Sequence, residues 1–134
     1  MSIDAGTLQP VGLFTGRHVL AELEGVEASL LDDEQFLRDT LQSALDRSQA
    51  TVCEVIAKQF EPQGVTVLAL LSESHASMHT YPEEGSIFID VFTCGHTAQP
   101  ERAVELIAEA LRPSEVNSRT IRRGRDYEQA ELAS

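Results

Sequence analysis

The sequence predicts a two-layer α/β sandwich, with a mainly antiparallel sheet, helices on one sheet face and a second copy of the chain over the other. Three observations carry this. Two segments place apolar residues on one side only at helical spacing, Leu37, Leu41, Ala44 and Leu45 in the first and Val104, Ile107, Ala108 and Leu111 in the second. Several segments around them are β-branched and half polar, as expected of strands that bury a single face. Their order is β-α-β-β-β-α-β, without internal repeats or low-complexity tracts. The helices cover one face, so the other needs a partner, and a second copy is the simplest one.

Each element has its own signals. Residues 1 to 15 form a loose tail punctuated by Gly6, Pro10 and Gly12, with Gly16 just after it. The first strand runs from His18 to Leu23. Asp32 is the expected cap of the first helix, with Gln35 at the capping-box position, and the helix lasts to about Gln49. Thr51 to Phe60 and Val65 to Ser74 are strands, separated by the turn residues Pro62-Gln63-Gly64. Ser86 to Cys94 is a third, after the Pro82-Glu83-Glu84-Gly85 turn. The second helix starts near Pro100 and stops before Pro113. Glu115 to Ile121 is the last strand, and a polar, frayed tail begins at Arg122.

Bulk composition narrows the function classes. At 134 residues with 42% hydrophobic content, the chain is one globular domain rather than a disordered segment. Its net charge of -12 argues against nucleic acid, whose phosphates call for clustered Lys and Arg. An acidic surface suits solubility first and is compatible with a cationic substrate. No apolar run approaches the roughly 20 residues of a membrane span, so no membrane is expected. Met1 to Phe14 holds an acid and no basic residue, unlike a signal peptide. Two cysteines, Cys53 and Cys94, make no disulfide framework, and a reduced cytoplasmic setting follows.

The chemistry concentrates in Ser72-Glu73-Ser74-His75 through Glu83 and in Asp90 to Gly95. A serine hydroxyl can attack the preceding carbonyl when the peptide is strained and a nearby group handles protons. At Glu73-Ser74 that attack turns the amide into an ester. Loss of the serine α-proton then expels the Glu73 carboxylate and leaves dehydroalanine, which hydrolyses to a pyruvoyl group capping His75. His79 is the candidate base, since imidazole titrates near neutrality. In a flat strand, residues 74 and 79 point to opposite faces, so a bulge or break between them is expected. Thr66 and Ser74 share a face if their strand runs regularly, which makes the Thr66 hydroxyl a candidate to steady the carbonyl. Cys94 shares a face with Ser86, Phe88, Asp90 and Phe92, and its thiol is a candidate proton donor. A competing constellation is zinc on His75, His79, Cys94 and His96. Histidines four apart suit a helix, however, and this stretch reads as extended.

Several motifs agree on one family. Gly16-Arg17-His18-Val19-Leu20, Phe60 to Thr66 (F-x-P-x-G-V-[ST]), Glu73-Ser74-His75, His79 to Glu83 (H-T-[WY]-P-E) and Asp90 to Gly95 (D-x-F-T-C-G) together resemble the small prokaryotic S-adenosylmethionine decarboxylase proenzymes. The resemblance covers about residues 16 to 124. It implies cleavage between Glu73 and Ser74 and a covalent pyruvoyl cofactor made from Ser74, with no metal. It further implies His79 and Thr66 in processing, Cys94 as proton donor, and Phe60, Glu83 and Tyr81 as substrate contacts. The active sites are expected at a homodimer interface. The substrate amine of S-adenosylmethionine would form a Schiff base with the pyruvoyl ketone, and the product would feed polyamine synthesis. Ala76, Met78 and His96 depart from residues common in the family and are expected to reshape the substrate pocket. A pyruvoyl decarboxylase of ornithine or arginine, and an unprocessed non-enzymatic homologue, are the alternatives.

Overall fold

The computed structural model describes residues 15–124, which contain the two expected helices and a six-stranded sheet. The strands are β1 (Gly16–Glu24), β2 (Val52–Gln59), β3 (Val65–Leu71), β4 (Ser74–Tyr81), β5 (Ser86–Cys94) and β6 (Glu115–Arg123). The helices are α1 (Ala28–Leu31), α2 (Glu34–Arg47) and α3 (Pro100–Leu111), with a 3₁₀ turn at Pro82–Glu84. The expected tails over residues 1–14 and 125–134 lie outside the described residues.

Every neighbouring pair is antiparallel, in the order β2-β3-β4-β5-β1-β6. The helices pack on one face, α2 over β2 and β3 and α3 over β1 and β5. Alternation does the sorting: Val19, Ala21 and Leu23 of β1, Val65, Val67 and Ala69 of β3, and Ile87, Ile89 and Val91 of β5 all enter one core with Leu37, Leu41, Leu45 and Ile107 from the helices. α3 ends where Arg112 turns left-handed (φ 54°), just ahead of Pro113.

Four local expectations need correction. The stretch read as one strand from Val65 to Ser74 is a hairpin, closed by Ser72 and Glu73, with Leu71 paired to Ser74. This adds β4 to the predicted order. Asp33, not Asp32, caps α2, accepting from the Phe36 N–H at 3.0 Å. Asp32 instead accepts from the Gly64 N–H and from Gln59, both at 2.8 Å, and pins the β2–β3 turn. Gln35 bonds Asp39 rather than closing a capping box. The frayed tail expected from Arg122 is also wrong, because Arg122 and Arg123 pair with Arg17 and Gly16 inside β6.

The second sheet face carries no helix. Ile56, Leu68, Leu70 and Phe88 project from it at 44–58% exposure, far more than isolated surface apolar groups require. Ala76 and Met78 belong to the opposite, helix-covered side, buried at 1% and 0%. They therefore tune the core and not a substrate pocket, contrary to expectation. Met78→Ala should lower the unfolding free energy by roughly 2–5 kcal/mol, read by chemical denaturation. A loss below about 1 kcal/mol would mean the helix layer is not packed on β4 as described.

Candidate active site

The hairpin places the Glu73–Ser74 bond at one end of the sheet. Ser72 and Glu73 form the two-residue link, and Glu73 holds φ +61°, a region that costs a non-glycine residue of order 1 kcal/mol or more. The Ser72 N–H is anchored to the Thr51 carbonyl at 3.0 Å, and Ser74 Oγ donates to the Ser72 carbonyl at 3.3 Å. The carbonyl that self-cleavage would attack thus belongs to a strained residue in a fixed turn.

Cys94, the last residue of β5, lies beside this turn. His75 pairs with Phe92, and continuing that antiparallel register by two residues sets Cys94 opposite Glu73. The Cys94 thiol is raised above its ordinary value, first by burial and then by the Glu73 carboxylate, with the Arg123 cation opposing. It is therefore a neutral thiol at physiological pH, which is the form a proton donor needs.

His79 and Thr66 are a second group. They pair directly across β3 and β4, and Thr66 Oγ1 and His79 Nδ1 share a hydrogen bond of 2.5 Å. Aromatic rings enclose His79: Tyr81 at 4.7 Å and Phe60 at 6.3 Å between centroids, with Phe88 5.2 Å from Tyr81. Glu83 is exposed in the adjoining 3₁₀ turn. The bulge expected between residues 74 and 79 does not occur. β4 pairs without a register shift from Ser74 to His79, so the two are about 16 Å apart along the strand at the usual rise per residue. Thr66 and Ser74 likewise sit on different strands, at opposite ends of the β3–β4 ladder. Within one chain, the structure brings Glu73, Ser74 and Cys94 together, and separately Phe60, Thr66, His79 and Tyr81.

The four-residue zinc constellation is not formed. Among the described residues, the histidine, cysteine and acidic side chains with ligand-like spacing are His18, His75 and Asp90. Reading the sequence alone gave no role to His18, Asp90, Ser77 or Arg123, although all four stand between the two groups or beside Cys94. The available signal was period-two alternation, which already put Asp90 on the same face as Phe92 and Cys94. Gly16 belongs here too: a β-carbon would come within 2.8 Å of the Phe92 ring and 2.7 Å of the Thr93 carbonyl. Among the described residues, no helix is long and apolar enough to cross a membrane.

Glu73, on a left-handed backbone, and the neutral thiol of Cys94 thus meet at one end of the sheet. The comparisons give the family. Residues 17–124 match the S-adenosylmethionine decarboxylase family. The S-adenosylmethionine decarboxylase proenzyme 2 of Bacillus anthracis is 50% identical over 109 residues, covering 81% of this chain and 89% of that protein. The proenzyme of Brevibacillus brevis is 46% identical, covering 81% and 82%. The crystal structure of the adenosylmethionine decarboxylase from Aquifex aeolicus superposes with a TM-score of 0.78 at 35% identity, covering 84% of this chain and 92% of that one. The chain belongs to the S-adenosylmethionine decarboxylase family, as its motifs led us to expect.

The two cysteines should react differently. At mildly alkaline pH, iodoacetamide should label exposed Cys53 well before Cys94, scored by peptide mass mapping. Faster labelling of Cys94 would show an activated thiolate, unsuited to donating a proton.

Proposed function

We propose that residues 16–124 form a cytoplasmic pyruvoyl-dependent decarboxylase domain that cuts itself between Glu73 and Ser74. It acts on S-adenosylmethionine, giving the decarboxylated product used in spermidine synthesis. The observation that carries the self-cleavage is the left-handed backbone of Glu73 at the cleavage turn, with Cys94 beside it. The substrate comes from the family. The residues fit a pyruvoyl group: Ser74 is the first residue of β4, so its conversion to a cap removes no interior strand pairing.

Ser74 Oγ attacks the Glu73 carbonyl, which the turn holds in place. A base takes the Ser74 α-proton, the Glu73 carboxylate leaves, and hydrolysis releases ammonia. The group so made supplies a ketone for the substrate amine and an adjacent carbonyl that draws electrons as carbon dioxide departs. Cys94 returns the proton to the substrate carbon. Phe60 and Tyr81 offer ring faces to the adenine and sulfonium, and Glu83 offers a carboxylate towards the ribose.

The separation of His79 and Thr66 from Ser74 supports a two-chain assembly. Two copies meeting through their open sheet faces about a two-fold axis would set the His79–Thr66 pair of one against the Glu73–Ser74 bond of the other. The exposed apolar residues of that face support such a homodimer.

Two experiments test this reading. Ser74→Ala and His79→Ala chains should each stay whole alone, while co-expression should cut the His79→Ala chain, seen by differently tagged fragments. Cutting of His79→Ala alone, or none in the mixture, would overturn the shared site. Cys94→Ala should cut normally but release carbon dioxide from carboxyl-labelled S-adenosylmethionine about 100-fold more slowly or worse. An unimpaired rate would remove Cys94 as the donor.

A further inference from the structure

Three motifs each contribute a side chain that neither cleavage nor decarboxylation has used: His18, His75 and Asp90. They converge on the open face. His18 Nε2 lies 2.8 Å from Asp90 Oδ2, His75 Nε2 lies 3.8 Å from the same oxygen, and Ser77 Oγ donates to Asp90 Oδ1. On the far side, Arg123 Nη1 lies 3.1 Å from His18 Nδ1.

These contacts fix the protonation pattern. A guanidinium only donates, so His18 Nδ1 must be the acceptor, and the ring proton sits on Nε2, aimed at Asp90. Asp90 is then a carboxylate receiving two hydrogen bonds. The ligand-type atoms of His18, His75 and Asp90 all lie within 4.8 Å of one another, as a metal would require. The proton on His18 Nε2 removes the lone pair that a metal would take, so the cluster works as a hydrogen-bonded chain.

The chain runs diagonally over four adjacent strands. Ser77 is directly opposite Asp90, Asp90 lies diagonally from His18, and His18 lies diagonally from Arg123. Arg123 sits 4.7 Å from the Phe92 ring centroid and acts on Cys94. His75 packs against His18 and Phe92, with centroids 5.9 and 5.6 Å away. One end of the chain thus lies within β4 at Ser77, and the other at Arg123, beside Phe92 and Cys94.

Cleavage changes what that strand end depends on. The intact hairpin ties Ser74 to β3 through the Ser72–Glu73 link, and cutting turns the head of β4 into a free chain end, where order is ordinarily lost. We propose that Asp90 and His18 are positioning residues, which with Ser77 and Arg123 clamp the pyruvoyl-bearing end of β4 beside Cys94 once the chain is cut. This rests on the decarboxylase reading above. The clamp acts after processing, so its loss should spare cleavage and slow turnover.

The test compares cleaved wild-type protein with Asp90→Asn, His18→Ala, His18→Gln and the mild Ser77→Ala, measuring cleavage by intact mass, then kcat and KM. Asp90→Asn and His18→Ala should cut normally and lose about 10- to 100-fold in kcat, with KM changed less than about threefold. His18→Gln should recover most of the loss, because its amide can donate to Asp90 as the ring does. Peptides beginning at residue 75 should also exchange deuterium faster in cleaved Asp90→Asn, a readout that needs no substrate. Wild-type kcat and protection in Asp90→Asn and Ser77→Ala would overturn the clamp, as would a block of cleavage, or equal losses in His18→Gln and His18→Ala. Failure of the decarboxylase reading would show instead in the wild-type chain, which would stay whole or release no carbon dioxide.

Discussion

The two-residue turn at Ser72 and Glu73 is the constraint on which the site depends. It folds β3 back onto β4 in a single register, and because side chains alternate strictly along strands, that register assigns every later residue to a face. Ala76, Met78 and Thr80 go to the helices, while His75, Ser77, His79 and Tyr81 go to the open face. The same turn puts the Glu73–Ser74 bond at the end of the sheet and a left-handed, non-glycine residue on its carbonyl side. A slip of one residue would bury His79 and expose Met78, which would cost both core and site.

From this register the division of the site follows. An unbroken strand holds Ser74, on the alternate side at the head of β4, well away from His79 on the open face. That face is also where the large exposed apolar side chains are. The proposed pairing with a second copy, face to face, would cover that surface and bring the His79–Thr66 pair to the Glu73–Ser74 bond. The open face also carries charge: Asp90 and Arg123 are engaged with His18, and Glu22 and Arg119 lie near Phe88 and Asp90.

Much of the fold was readable because its signals are periodic. The one-sided stripes of α2 and α3 survive as the buried faces of both helices, and Pro113 marks the end of α3 as expected. The β3–β4 hairpin was not readable, because Ser72 and Glu73 are neither glycine, proline nor asparagine and the apolar run before them reads straight through. Adjacent Asp32 and Asp33 each suit a cap, and only the position of the Gly64 turn decides which one serves. In the candidate site, motif spacing singled out Ser74, His79 and Cys94, and alternation already set Ser74 and His79 on opposite faces of a regular strand, but nothing in the sequence showed that β4 runs without a bulge. The Arg123–His18–Asp90–Ser77 chain was invisible for a stronger reason. Its contacts, two of them diagonal, cross four strands, and Arg123 lies in a polar stretch that carries no strand signal of its own.

The central claim is that this chain makes its cofactor from Ser74. The most direct measurement is the intact mass of freshly purified protein under denaturing conditions. The account predicts two fragments: residues 1–73, and a piece from position 74 onward that is lighter by one ammonia than the same piece with an N-terminal serine. A single whole chain, or a second fragment that keeps its serine amine, would contradict it.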